Sequence, residues 1–211
     1  MQIYRYPLFN SWPEITKRPT ADFLEKIETV SKVMSKIRAE GDTAVRKFTL
    51  QFDLVDLADY KVSAEEIDEA DQMLDPKLKN AIHIAAQNID TFHIAQKSVY
   101  RVIETMPGVK CWQKSVPIEK VGLYIPGGSA PLFSTVLMLG IPAMIAGCRN
   151  VILCTPPDRN GKIHPAILFA ASVCHITEIY KVGGMQAIGA MAYGTEAFQR
   201  LIRYLVPAIH G

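Results

Sequence analysis

The sequence predicts an α/β fold: a mainly helical N-terminal part over residues 1–118, followed by a Rossmann-like parallel sheet unit over residues 119–211. Three observations carry this. Between Thr20 and His93 apolar residues recur at helical spacing. From Val121 onward, short apolar runs alternate with helical patterns (Val121 to Ile125, Leu132 to Gly147, Val151 to Cys154, His164 to Cys174, Glu178 to Val182, Gly184 to Tyr193), which is the signature of parallel strands joined by right-handed crossovers. Between the first run and its helix lies the glycine turn Pro126-Gly127-Gly128.

In chain order, Met1 to Arg18 holds Tyr4, Tyr6, Phe9 and Trp12 with Pro7 and Pro13, and reads as an arm rather than a regular element. Its aromatics bury either against a partner or against their own domain. Thr20 behind Pro19 is an N-cap for a helix whose face is Phe23, Ile27, Val30, Val33, Met34 and Ile37, ended by Gly41. Asp42 opens a second helix with Ala44, Val45, Phe48 and Phe52 on one face. Lys61-Val62 reads as a short strand, and Ser63 with Glu66 has capping-box spacing for a third helix running to about Met73. Asp75-Pro76 opens a long helix through Leu78, Ile82, Ala85, Ile89 and Phe92. Its His83 and His93 are separated by about 80° around the axis, so they form no metal-ligand pair. Val99 to Val116, with Pro107-Gly108 between its halves, predicts a β-hairpin at the boundary of the two parts. With no low-complexity linker, the two parts are expected to be packed rather than tethered.

A chain that is 49% hydrophobic and 21% charged has the balance of an ordinary globular protein with room for a core. A net charge of +2 without like-charged blocks implies neither nucleic acid nor an anionic membrane as a partner. The longest apolar run, Phe133 to Ala146, is interrupted by Pro142 and too short to span a bilayer. Cys111, Cys148, Cys154 and Cys174 lack Cys-x-x-Cys spacing and lie among apolar neighbours, which predicts buried free thiols and a cytoplasmic chain. His164, His175 and His210 have no carboxylate or Cys at metal-like spacing, so no zinc site is expected among them.

Ligands of parallel sheets bind beyond the strands' C-terminal ends. Gly127 and Gly128 have no Cβ, so their backbone N–H groups can approach a bound group while the following helix directs its positive end there, an arrangement suited to phosphate. The same Pro-Gly-Gly also serves as an ordinary strand-to-helix turn, and its spacing is not Gly-x-Gly-x-x-Gly. Tyr124 ends its strand at this edge, and Gln186 sits in the first turn of the last helix with its amide able to reach the same crevice. For these two the alternatives are a half-buried ring and a capping partner.

Gly122-Leu-Tyr-Ile-Pro-Gly-Gly-Ser-Ala-Pro-Leu132, Ser134-Thr-Val-Leu-Met138, Ala146-Gly-Cys148 and Val182-Gly-Gly-Met-Gln-Ala-Ile188 closely resemble histidinol dehydrogenase, in the same order. Phe133 stands where some relatives have proline. The resemblance runs to about Glu196 and matches the first half of that family's chain. It implies an NAD-dependent, zinc-containing homodimer that oxidises L-histidinol to L-histidine through the aldehyde in two hydride transfers. By resemblance, Tyr124 and Gln186 match positions that contact NAD. The family's zinc ligands, catalytic Glu-His pair and substrate-binding residues belong to its second half, so this chain is expected to be inactive alone.

The family's Gly-Pro-Gly-Asn motif should follow shortly after Glu196, where this chain reads Val206-Pro-Ala-Ile-His210. A frameshift accounts for the tail 198–211. A codon choice for Ile-Pro-Lys-Val-Asp-Lys-Ile-Leu-Gly-Pro-Gly-Asn-Ser-Trp exists in which deleting the first nucleotide yields the observed tail at every position. Codon degeneracy eases that match, and a divergent tail is the alternative. In either case Phe198, Leu201, Ile202 and Leu205 fall on one helical face until Pro207, which predicts a terminal helix. Two functional classes follow: a family enzyme represented by its nucleotide-side part, or a stand-alone nucleotide-binding or interaction module without catalysis.

Overall fold

The computed structural model describes residues 3–17, 24–128, 130–198, 200–201 and 203–205. The expected Thr20 cap, Phe23 and Ile202 lie outside these residues, as do His210 and the rest of the tail beyond Leu205.

The helical part comprises α1 (Trp12–Ile15) behind a 3-10 turn (Phe9–Ser11), α2 (Leu24–Glu40), α3 (Asp42–Asp53), α4 (Ala64–Met73) and α5 (Pro76–Ile94). The predicted caps of α4 and α5 are present. The Ser63 hydroxyl accepts from the Glu66 N–H while the Glu66 carboxylate accepts from the Ser63 N–H, and the Asp75 carboxylate accepts from the Lys77 N–H. A hairpin of β1 (Val102–Met106) and β2 (Val109–Trp112) follows, paired antiparallel. Then come β3 (Lys120–Tyr124), α6 (Phe133–Ala146), β4 (Asn150–Cys154), α7 (Pro165–Val173), β5 (Glu178–Tyr180), α8 (Gly184–Tyr193) and β6 (Arg203–Leu205). The main sheet has the order β5-β4-β3-β6, all parallel, so the Rossmann-like expectation holds.

Alternation along the strands builds a core on each face of the sheet. Val121, Leu123, Leu153 and Ile179 face one cluster, closed by α4, α5, α6 and α7. Ile152, Cys154, Tyr180 and Val182 face the other, closed by α2, α3 and α8. Helices from the first part therefore complete both outer layers of the second. Gly122 is required by packing: a Cβ there would come within 2.3 Å of Leu201 Cδ1 and 2.5 Å of Met191 Sδ.

Several expectations are corrected. Among the described residues, the tail forms no helix from Phe198. Instead Phe198 and Leu201 bury against the α8 side of the sheet, and Arg203–Leu205 pair with β3. The exposed hydrogen-bonding edge of β3 captures the tail as a parallel strand, which outweighs its helical periodicity. Lys61-Val62 makes a single antiparallel bridge, Lys61 to Tyr180, rather than a strand. Ile27 and Val30 stay exposed on α2 because α8 covers only the stripe containing Val33 and Ile37. The hairpin remains a separate two-stranded sheet, exposed along its whole length. Cys111 lies on it and is exposed; Cys154 and Cys174 are buried, where burial pushes the Cys174 thiol up to about 12. All four thiols are free. His83 packs edge-on against Phe169 and His93 bonds to Gln96. Among the described residues, no helix is long and apolar enough to cross a membrane.

The accessible surface is 14599 Å² for a mass of 23.5 kDa. A folded monomer of that mass exposes roughly 9,800 Å². In the arm and hairpin, the large apolar side chains Tyr6, Phe9, Trp12, Ile103, Met106 and Trp112 are exposed. Such surface drives association. Light scattering is expected to show species heavier than the monomer as concentration rises; a clean monomer throughout would count against it.

Candidate functional site

At the C-terminal edge of the sheet, Tyr124 closes β3, Thr155-Pro156-Pro157 follow β4, and Val182-Gly183-Gly184 join β5 to α8. Pro156 stands between the two glycine turns. A Cβ on Gly127 would lie 2.7 Å from Pro156 Cγ, and one on Gly183 would lie 2.5 Å from Pro156 Cβ. Glycine at both positions lets the two loops close on this ring.

On the α8 side, the Tyr124 hydroxyl accepts a hydrogen bond from the Gly184 N–H at 2.9 Å. Burial pushes the Tyr124 phenol up, opposed by that bond. Gly184 has φ +56°, a conformation that favours glycine. Gln186 is 0% exposed and donates from Nε2 to Asp53 Oδ2 at 2.9 Å. The group facing a carboxylate acceptor must be the amide NH₂, so the other terminal atom is the carbonyl oxygen. That Oε1 is buried without a partner in the structure. Gln186 thus points inward to Asp53, which is where its carboxamide is held.

Asp53 Oδ1 also lies beside Gly183, 3.1 Å from where a Cβ on that glycine would be. The Asp53 carboxyl is pushed up by burial first, with the Gln186 hydrogen bond and then the Gly183 backbone pulling the other way. Asp53 ends α3, where Leu54 turns left-handed at φ 60°, and the packing of α3 on α8 delivers it here. Sequence reasoning missed it. The available signal was indirect: Gly183 at the N-cap of α8 has no side chain with which to cap the helix.

On the other side of Pro156, Gly127 and Gly128 line a groove of about 280 Å³ with Thr155, Asp158, Lys162 and His164. Nothing lies within 4 Å of a Cβ placed on Gly128, so that backbone is open. The α6 N-terminus behind the loop has no side-chain cap and no acidic residue in its first turn. His164 caps α7, its Nδ1 accepting from the Ala166 N–H at 3.1 Å, and Asp158 Oδ1 accepts from the Asn160 and Lys162 N–H groups. The structure therefore brings Tyr124 and Gln186 together around Gly184 and sets Gly127 and Gly128 across Pro156 from them. Among the described residues, no group of three or more His, Cys, Asp or Glu could hold a metal ion.

An open parallel sheet with two glycine turns meeting at its C-terminal edge defines an α/β protein of Rossmann-like layout. The family model described as histidinol dehydrogenase matches residues 16–203. The chain is 53% identical over 207 residues to histidinol dehydrogenase of Bacteroides thetaiotaomicron, covering 98% of this chain and 48% of that protein. It is 46% identical over 195 residues to that of Escherichia coli K12, covering 92% and 44%. The crystal structure of histidinol dehydrogenase from Elizabethkingia anophelis superimposes with a TM-score of 0.92 at 47% identity, covering 99% of this chain and 48% of that one. The chain belongs to the histidinol dehydrogenase family, a family of oxidoreductases of histidine biosynthesis, and spans about half the length of these relatives. The family match extends past Glu196 to residue 203, just into β6.

Proposed function

We propose that this chain is the nucleotide-side part of an NAD-dependent histidinol dehydrogenase, contributing Tyr124, Gln186, Gly127 and Gly128 to the NAD site of an enzyme that converts L-histidinol to L-histidine through histidinal. The observation that supports it most is the buried, unpartnered Gln186 Oε1 beside the Tyr124–Gly184 contact, an acceptor held ready for a donor the protein does not supply. When bound, NAD supplies the hydride acceptor. The chain's own residues hold and orient: Tyr124 fixes the α8 turn, Asp53 fixes Gln186, and the open backbone of Gly128 admits an anionic group. Zinc does not fit the described residues, since none of them form a ligand set. The homodimer of the family is compatible with the exposed arm and hairpin.

NAD is expected to bind weakly by calorimetry, and Tyr124→Ala combined with Gln186→Ala is expected to abolish the heat signal while circular dichroism stays that of the parent. Binding unchanged by the double substitution would sink the assignment.

A further inference from the structure

The hairpin β1–β2 joins the main sheet at the start of β3, the opposite end from the glycine turns. Opposed residues in a hairpin share a face, and neighbours along a strand alternate. Val102 is paired with Trp112 and Ile103 with Cys111, so apolar pairs occupy both faces, and both strands are exposed along their whole length. A hairpin covering a core on one side is polar on the other; apolar residues on both faces belong to strands covered on both sides. Two strands alone are also marginal in water. Among the described residues no third strand pairs with either edge, and the bulge between Glu104 and Met106 interrupts β1 while β2 stays regular. The hairpin exit continues into a groove of about 560 Å³, lined in part by Val116, Ile118, Ile145 and Cys148. From residue 97 to residue 114, Lys97, Arg101, Lys110 and Lys114 are opposed by Glu104 alone. Packing hairpin on hairpin would set this charge against itself, whereas an apolar strand flanked by carboxylates complements it. Such an occupant has a source, since this chain covers only 48% of its relatives.

We propose that the hairpin and its adjoining groove are the docking surface for a separate polypeptide equivalent to the half of a histidinol dehydrogenase that this chain does not span, and that this partner adds a carboxylate-flanked apolar strand to β2. The chain is then one component of a two-chain assembly. Backbone hydrogen bonds along β2 supply the pairing, Ile103 and Trp112 supply an apolar contact on each face, and Lys110 and Lys114 select the charge of the partner. The proposal goes beyond the reading above and rests on it only in taking the chain as one part of a family enzyme; the NAD site lies at the other end of the sheet.

The test is co-expression of the whole chain with the half that it does not match of the 53% identical relative, that half carrying an affinity tag. Co-expression lets either component fold on the other. A soluble complex of equal stoichiometry is expected by light scattering, with hydrogen exchange across Val102–Trp112 slowed at least about tenfold relative to the chain alone. Ile103 and Trp112 are 61% and 56% exposed, so Ile103→Lys combined with Trp112→Lys should leave the circular dichroism of the chain unchanged. That variant is expected to cut recovery of the chain on the tag at least about tenfold. Lys110→Glu with Lys114→Glu, which keeps the apolar contacts, is expected to cut it at least about threefold. Absence of a soluble complex, a complex that both variants retain, or a hairpin already protected in a dimer of this chain alone would each overturn the proposal. Calorimetry of the chain alone with NAD separates the two readings: NAD binding without a complex leaves the NAD site standing, and a complex without NAD binding leaves the docking surface standing.

Discussion

Supplied with NAD, zinc and L-histidinol, the 211-residue chain is expected to produce no NADH above background. Enzymes accelerate their reactions by at least about 10⁶-fold, and that margin depends on groups that touch the reacting atoms. The residues described here bind and orient at a sheet edge, and none of them form a metal-ligand set. Zinc alone gives a second readout. A site filled to about 100 times its Kd would add roughly 2.7 kcal/mol of stability, or about 5–10 °C in Tm for a chain of this size. The melting temperature is expected not to move when zinc is added. NADH appearing in step with L-histidinol, or a zinc-dependent rise of that size, would show that the chain holds machinery not found among its described residues.

Truncation of Phe198 is expected to be among the most damaging single changes to stability. Its ring is 1% exposed, 4.4 Å from the Tyr180 ring and 6.1 Å from the Tyr60 ring. The backbone around it is fixed as well: the Thr195 hydroxyl accepts the Phe198 N–H, the Thr195 N–H donates to the Phe198 carbonyl, and Asp42 accepts the Ala197 N–H. Removing a buried aromatic ring costs about 3–5 kcal/mol, a large share of the roughly 5–15 kcal/mol that stabilises a folded chain. Phe198→Ala should therefore lower Tm by about 6–20 °C. A loss under about 1 kcal/mol in thermal melts would mean that the segment after Glu196 is not docked on the sheet as described.

The caps of α4 and α5 were legible because they are local. Ser63 with Glu66, and Asp75 before Pro76, satisfy backbone donors within a few residues, so their spacing alone specifies the helix start. The parallel strands were legible from β-run and helix alternation. The tail was not. Its spacing of Phe198, Leu201, Ile202 and Leu205 reads as a helix, yet the vacant edge of β3 offers backbone hydrogen bonds that no local pattern encodes, and the segment ends in a strand. Cys111 reads as buried from its neighbours Val109 and Trp112, but a hairpin lying outside the main sheet has no second layer to bury it.

The same division runs through the candidate site. Sequence by itself determined the sheet edge, its two glycine turns, and Tyr124 and Gln186 as polar side chains at that edge, because each of these follows from a strand end or a first helical turn. Tertiary structure alone decided what surrounds them. Asp53 is 133 positions from Gln186 and meets it only because α3 packs on α8, while the Pro156 ring separates that turn from a groove lined by Gly127, Gly128, Asp158 and Lys162. Periodicity and capping act over a few residues, whereas the charge and hydrogen-bonding balance of a crevice is the sum over whatever elements packing brings to it.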